Sequence, residues 1–240
     1  MKRIEIFVEG ISELIFVRDI LQKIYNYDAN TIYIHCNSLN NFTNLTDLWP
    51  FGNTNATYHI EITDTGGYTK LLSAITNRRM RLSENEASLV LGLRDIDSQE
   101  YEEYKKDHSR DVAIQKVEQG VLKGLNVVTF NIEVKIFYAV TELEAWFLAL
   151  HTIFPQIDSR LTHDFIKTSL DLDLENIDPE KDLEKPSDNL MAILELINNH
   201  DDKPRRTKVI VSKITLELME EIKNQKVSRM HEFIDQLKTF

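Results

Sequence analysis

Two apolar runs in this chain end abruptly in acidic residues, and each has the pattern of a buried β-strand. The first, residues 3–8, is β-branched or aromatic and leads into Glu9. The second, residues 87–94, is almost wholly apolar and leads into Asp95 and Asp97. An apolar run of this length is typical of a parallel strand that is buried on both faces. Both strands are therefore predicted to carry carboxylates to the C-terminal edge of a sheet, where open α/β folds bind ligands.

The pattern around these two runs alternates between strand and helix through the first 150 residues. Further strands are predicted at 31–36, 57–62, 126–130 and 134–140, and helices after Gly10, at 68–81, after Ser98, at 110–124 and at 141–151. This alternation is that of a doubly wound domain. We expect an α/β fold, in which a Toprim/Rossmann-like parallel sheet is flanked by helices.

The composition changes after Pro155, and the remainder of the chain is mostly helical in pattern. Residues 208–212 form a small apolar run that is interpreted as a short strand, and Lys213 follows it. We therefore predict two parts: an α/β domain over residues 1–154, and a helical extension over residues 155–240 that packs on the same core.

Composition limits the classes of protein that remain. The 240 residues are 42% hydrophobic, and charge interrupts every apolar run well before the roughly 20 residues that span a bilayer. The single cysteine, Cys36, excludes a disulfide within the chain and a cysteine zinc site. No signal peptide is apparent at the N-terminus. We expect a cytoplasmic protein that makes no membrane contact.

The formal net charge of −11 argues against a non-specific nucleic-acid coat, which needs a basic surface. It does not argue against a nuclease, because metal sites made of carboxylates are acidic and the bound cation inverts the local field.

The spacing of Asp95 and Asp97 places both side chains on one face if the strand continues through them. Two converging carboxylates repel each other unless a cation lies between them, and oxygen ligands select Mg²⁺, Mn²⁺ or Ca²⁺. The alternative is that Asp97 and Ser98 cap the next helix while Asp95 is solvated.

Other glutamates extend this acidic set. Glu9 ends its strand in the same way as Asp95, and Glu13 lies near a helix start, where the dipole alone favours an anion. Thr141 and Glu144 fit a capping box, whereas Glu142 has no such role. Glu142 is a candidate to support a second metal or a water in the shell of the first, although glutamates are common in the first turn of a helix.

Together these residues resemble the Toprim domain, which topoisomerases, primases and OLD-family nucleases share. More narrowly, they resemble a Toprim-like family of bacterial proteins of unknown function, related in outline to RloB-like proteins and often associated with defence ATPases. The resemblance spans nearly the whole chain and rests on Glu9, Gly10, Ser12 and Glu13; Gly66 and Gly67; Arg94, Asp95, Asp97 and Ser98; Glu142, Glu144, Ala145 and Trp146; Glu184, Lys185 and Pro186; and Ser212 and Lys213. Unlike OLD nucleases, the chain has no recognisable ATPase region.

The resemblance implies a metal-dependent phosphodiesterase. Glu9, Asp95 and Asp97 would hold one Mg²⁺, for which Mn²⁺ can substitute, and Glu13 with Glu142 or Glu144 would help to hold a second. The first candidate for a catalytic lysine is Lys213, and the second is Lys185. Gly10, Gly66 and Gly67 are candidates for backbone contacts to phosphate, although a turn is the plainer interpretation of Gly66 and Gly67.

The expected function is therefore that of a nuclease acting on DNA or RNA as an effector of bacterial anti-phage defence. Its expected partners are nucleic acid, an ATPase encoded nearby and a second copy of the chain. The alternative is a non-catalytic subunit that binds metal or nucleotide beside a defence ATPase. Nucleotide-sugar transferases and aspartyl phosphatases also use Asp-x-Asp after a strand, but the first class gives Glu9 no role and the second requires a threonine after the second aspartate.

Overall fold

A computed structural model describes residues 2–39, 48–78, 87–126, 132–223 and 225–240. The chain divides into two compact units. Residues 1–138 and Phe240 form the N-terminal unit, and residues 139–239 form the C-terminal unit. The division falls sixteen residues before the sequence-based boundary at 154/155, because the helices that begin at Glu144 belong to the C-terminal unit.

The N-terminal unit is built on a five-stranded parallel sheet, which confirms the α/β class. Its strands, in chain order, are β1 (Lys2–Val8), β2 (Ile32–Ser38), β3 (Tyr58–Asp64), β4 (Ala87–Asp95) and β5 (Glu133–Ala139). The order across the sheet is β2-β3-β1-β4-β5. After β1, the chain forms β2 and β3 on one side of β1, and it then crosses over to form β4 and β5 on the other side. This reversal makes the carboxyl end of β1 a topological switch point, where ligands bind in open α/β sheets.

The helices of this unit follow the predicted pattern. They are α1 (Ile11–Ile24), α2 (Tyr68–Asn77), α3 (Gln99–Lys105) and α4 (Arg110–Asn126). The end of the helix predicted at 68–81 and nearly all of the strand predicted at 126–130 lie outside the described residues. Residue 126 itself ends α4.

The C-terminal unit is helical. Its helices are α5 (Glu144–Ala149), α6 (Phe154–Ile157), α7 (His163–Leu170), α8 (Pro179–Asp182), α9 (Pro186–Glu195), α10 (Lys203–Lys213), α11 (Leu216–Ile222) and α12 (Ser228–Leu237), with a short 3-10 turn at His151–Ile153. Its largest fully buried side chains are Trp146, Phe147, Phe154 and Phe233. Across the described ranges, no helix is both long and apolar enough to cross a membrane.

The short strand predicted at 208–212 is wrong, because these residues lie inside α10. The Asp202 carboxylate accepts a hydrogen bond from the backbone N–H of Arg205, and Pro204 lies in the first turn, so the local sequence starts a helix. Thr207, Ile210 and Val211 then form the buried side of that helix at spacings of three and four. The run is β-branched in composition but has a helical period.

Candidate functional site

The carboxyl ends of β1 and β4 are adjacent and are joined through a side chain. The two strands pair directly, with Val8 opposite Leu93. Just beyond this pair, Glu9 Oε2 accepts a hydrogen bond from the backbone N–H of Asp95 at 3.1 Å. Glu9 and Asp95 are both half-buried. Two acidic residues 86 positions apart in the sequence therefore meet at the centre of the sheet edge.

The turn after β3 packs against the same edge. Thr65 N–H donates to the carbonyl of Val8 at 2.9 Å, and Gly67 N–H donates to the carbonyl of Glu9 at 2.8 Å. Gly67 has φ of 128°, a conformation that residues with a Cβ rarely adopt. Gly66 N–H donates to Asp64 Oδ1 at 2.8 Å. Both glycine amides are thus used inside the protein, as the turn interpretation requires.

Asp64 is a member of this edge that sequence reasoning missed. It is the last residue of β3, lies opposite Val8, and is 1% exposed. Besides Gly66 N–H, its carboxylate accepts a hydrogen bond from Ser38 Oγ at 2.9 Å. The available signal was another strand-like run ending in an acid, two residues before Gly66 and Gly67.

Glu13 lies at the same edge through the start of α1. Gly10 precedes the helix, and no side chain caps it. A Cβ on Gly10 would lie 3.1 Å from Glu13 Oε2, so the small residue leaves room for this carboxylate. Glu13 is 4% exposed and stands in the first turn, where the helix dipole favours an anion.

Asp97 differs from Asp95 in its surroundings. β4 ends at Asp95, so the strand alternation that predicted a shared face does not extend to Asp97, which is exposed. Ser98 caps α3, since its Oγ accepts a hydrogen bond from Tyr101 N–H at 3.1 Å. Asp97 itself is not the cap. The alternative interpretation, in which Asp97 and Ser98 cap this helix, therefore holds for Ser98 alone.

Arg94 is a second residue that sequence reasoning did not single out as functional. It is 2% exposed, its Nε donates to the carbonyl of Asp95 at 3.3 Å, and its guanidinium lies 5.5 Å from the ring centre of Tyr68. Its Nη2 is buried, and no hydrogen-bond partner for it occurs among the described residues. A charged residue within an otherwise apolar strand was the signal in the sequence.

The remaining acidic candidates belong to the C-terminal unit. Glu142 accepts two hydrogen bonds from Ser187, one from its backbone N–H and one from its hydroxyl, both at 2.8 Å. Glu144 is 5% exposed, and its Oε1 lies 2.9 Å from Lys203 Nζ. The predicted capping box is wrong: the residue before α5 is Leu143, and Thr141, at φ of 64°, donates its hydroxyl to the carbonyl of Val140.

Glu142 acts as a cap for α9 from outside the helix, because Ser187 lies in the first turn of α9. Glu142→Ala is expected to lower the free energy of unfolding by about 1–2 kcal/mol, since it removes both an acceptor and a charge from a helix N-terminus. Urea denaturation followed by circular dichroism measures this loss. Asp188→Ala is the matched control: it removes an exposed first-turn acid that is expected to contribute less than about 0.5 kcal/mol. Equal losses in the two variants would contradict the capping role.

The two candidate lysines also belong to the C-terminal unit. Lys213 is the half-buried last residue of α10, not a residue that follows a strand. Lys185 is exposed and immediately precedes α9. Each thus lies at the end of a helix.

The donor chemistry at the edge suits a hard divalent cation, because Glu9, Asp95, Asp97 and Glu13 offer only carboxylate oxygens. In the part of the chain that the structure describes, no group of three or more His, Cys, Asp or Glu side chains has the arrangement of a metal site. The fit therefore rests on the type of donor and on the contact between Glu9 and Asp95.

Comparisons with protein-family models, with curated proteins and with solved structures found no match for this chain. Its function is therefore argued from the residues and contacts of the site.

Proposed function

We propose that this protein is a Mg²⁺-dependent, Toprim-like nuclease that hydrolyses phosphodiester bonds. The observation that carries the proposal is the hydrogen bond from Asp95 N–H to the Glu9 carboxylate at the switch point of the sheet. This bond holds the Glu9 carboxylate beside the backbone of Asp95, and a cation bound at that point would offset the repulsion between the carboxylates that the two strands deliver there.

In this proposal Glu9, Asp95 and Asp97 hold the first metal, and Glu13, in the first turn of α1, is the candidate for a second. A bound Mg²⁺ supplies Lewis-acid stabilisation and a nucleophilic water for in-line phosphoryl displacement. Asp64 orients the turn that supports Glu9, because it accepts the hydrogen bond from Gly66 N–H. The contacts of Glu142 with Ser187 and of Glu144 with Lys203 give these two residues other roles, so the proposed site does not need them.

Charge that develops on the phosphoryl group needs a nearby cation. Arg94 is our candidate, because it adjoins Asp95 in the sequence and donates to its carbonyl. The sequence-based candidates Lys213 and Lys185 remain predictions.

The resemblance to Toprim-like proteins supports four further parts of the proposal. The protein would be a cytoplasmic effector of bacterial anti-phage defence, act on DNA or RNA, work with an ATPase encoded nearby, and self-associate. The acidic net charge favours a substrate that is held by metal and a few cations over one held by a basic surface.

The proposal is tested with end-labelled DNA and RNA incubated with purified protein. Cleavage is expected with Mg²⁺ or Mn²⁺, and none is expected in EDTA. The assay is repeated with the ATPase encoded nearest to this protein in its genome. Absence of cleavage under all these conditions would overturn the nuclease and favour the binding subunit.

A further inference from the structure

The solvent side of α10 concentrates positive charge in an acidic protein. This helix of 11 residues contains five basic side chains and no acidic one, whereas the whole chain has a formal net charge of −11. Thr207, Ile210 and Val211 bury one side of the helix. At about 100° of rotation per residue, the other side is formed by Arg205, Arg206, Lys208, Val209, Ser212 and Lys213. We call this side the basic face, and its charge indicates a negatively charged partner.

Most cations of the basic face are not neutralised by the protein itself. Arg205 is exposed, and Arg206 and Lys213 are half-buried. Within the described ranges, no carboxylate pairs with the side chain of any of these three residues. The guanidinium of Arg206 contacts the sulfur of Met191, which carries no charge. Three positive charges are therefore available to an anion outside the protein.

The length of the basic face matches the width of a DNA groove. Arg205 and Lys213 are eight residues apart, which separates them by about 12 Å along the helix axis. The major groove of B-DNA is also about 12 Å wide. A helix that lies across this groove can therefore place the cations at its two ends against phosphates of opposite strands.

Three other anionic partners suit the basic face less well. Single-stranded nucleic acid is bound largely by stacking of bases on aromatic side chains, and α10 contains no aromatic residue. A membrane-bound helix places its apolar side among the lipids, but the apolar side of α10 is buried within the C-terminal unit. Duplex RNA has a deep, narrow major groove. These features favour duplex DNA.

We propose that the basic face of α10 binds the phosphate backbone of duplex DNA. The inference rests on the proposed nuclease function for the choice of nucleic acid, and it adds the surface that holds the substrate. Contacts to phosphate carry no sequence information, so the binding is independent of sequence. It also weakens steeply with salt, because each neutralised phosphate releases counterions.

Fluorescence anisotropy with the full chain in EDTA tests the proposal. The probe is a labelled DNA duplex of about 20 base pairs, or two helical turns. We compare it with the single strand, with the RNA duplex of the same sequence and, by sedimentation, with vesicles of anionic lipid. Duplex DNA is expected to bind with Kd below about 100 μM at about 50 mM salt. The slope of log K against log salt is expected to be about −3, as for three phosphates.

Metal-free conditions separate this inference from the nuclease proposal. Cleavage with Mg²⁺ but no binding in EDTA would overturn the inference alone. Binding in EDTA without cleavage under any metal condition would overturn the nuclease alone.

Two variants locate the binding. Arg205→Gln should weaken it about fivefold and reduce the salt slope by about 1. Arg160→Gln is the matched control, because it removes the same charge from an exposed arginine that Asp158 already neutralises. Val209→Glu adds a negative charge to the basic face without removing a cation, and should weaken binding at least about tenfold. Its control is Val112→Glu on α4, since the two valines are 38% and 39% exposed.

Three results would overturn the proposal. The first is that duplex DNA does not bind in EDTA at about 50 mM salt. The second is that the Val209 and Val112 variants bind duplex DNA equally well. The third is that the single strand, the RNA duplex or the vesicles bind at least as tightly as duplex DNA, which would assign the basic face to another partner.

Discussion

Glu9→Gln and Asp95→Asn are each expected to lower metal-dependent cleavage on the order of a thousandfold, if both carboxylates hold the catalytic cation. Both changes preserve size and remove one negative charge. The glutamine at position 9 keeps an oxygen that accepts the hydrogen bond from Asp95 N–H, and asparagine at 95 leaves that backbone donor in place. The fold should therefore survive, and the loss of cleavage should report on the charge.

Metal binding provides a readout that is independent of activity. A cation that binds only the folded state raises the melting temperature, so Mn²⁺ should stabilise the unmodified protein and fail to stabilise either variant. Glu100→Gln, which changes an exposed acid in the first turn of α3, should cleave and respond to Mn²⁺ normally. Normal cleavage by Glu9→Gln would remove Glu9 from the site, and with it the reason for preferring a Toprim-like centre.

The second large effect concerns Glu180, whose carboxyl group is buried in the C-terminal unit. Burial raises its pKa from 4.5 to about 7, against the opposing effect of the hydrogen bond from Trp146 Nε1, which is 2.7 Å long. Because the folded state holds this proton more tightly than the unfolded chain, stability falls as pH rises from 4.5 through 7 and is constant above that range. The shift corresponds to a loss of up to about 3 kcal/mol.

Glu180→Gln should remove this dependence, because the amide does not ionise. Unfolding free energies from urea titrations at pH 5 and pH 8 measure it. The variant should match the unmodified protein near pH 5 and exceed it at pH 8 by up to about 3 kcal/mol. Glu232→Gln, which changes an exposed acid on α12, should differ from the unmodified protein equally at both pH values. A constant difference for Glu180→Gln would show that the pKa of Glu180 does not change on folding.

His151 changes the free energy of unfolding with pH in the direction opposite to Glu180. The Glu180→Gln variant is therefore needed to separate the two contributions. Burial, with a smaller effect of Lys226, lowers the pKa of His151 to about 4, so its neutral form is favoured in the folded state. Acidification from pH 6.5 to 4 therefore removes stability at His151 while it adds stability at Glu180. The two contributions partly cancel in the unmodified protein, and only the difference between it and the Glu180 variant isolates the carboxyl group.

The strands of the sheet were predictable because a strand buried on both faces has a continuous apolar sequence, as residues 87–94 do. The 208–212 run was ambiguous on the same criterion, because β-branched residues at helical spacing also fit a short strand. The position of Ser98 as a cap followed from its place after a strand. The capping box at Thr141 failed because that residue adopts positive φ, which the local sequence does not reveal.

The candidate site was predictable in part, because an apolar run that ends in an acid is visible in the local sequence. Each acid-bearing strand end was visible alone, but the contact between Glu9 and Asp95 depends on strand order, which joins residues far apart in the chain. Asp64 was overlooked because its strand was predicted to end at residue 62, before the acid. The pairing of Glu144 with Lys203 depends on how α5 and α10 pack, and no local pattern specifies it.

The contact between Trp146 and Glu180 has an optical consequence. Trp146 is fully buried and donates its indole N–H to the carboxyl group that changes charge near neutral pH, whereas Trp49, the other tryptophan, is 73% exposed. Trp49→Phe would leave Trp146 as the single indole emitter. Its emission wavelength would then follow the ionisation of Glu180 in the native protein, without denaturant and without an attached dye.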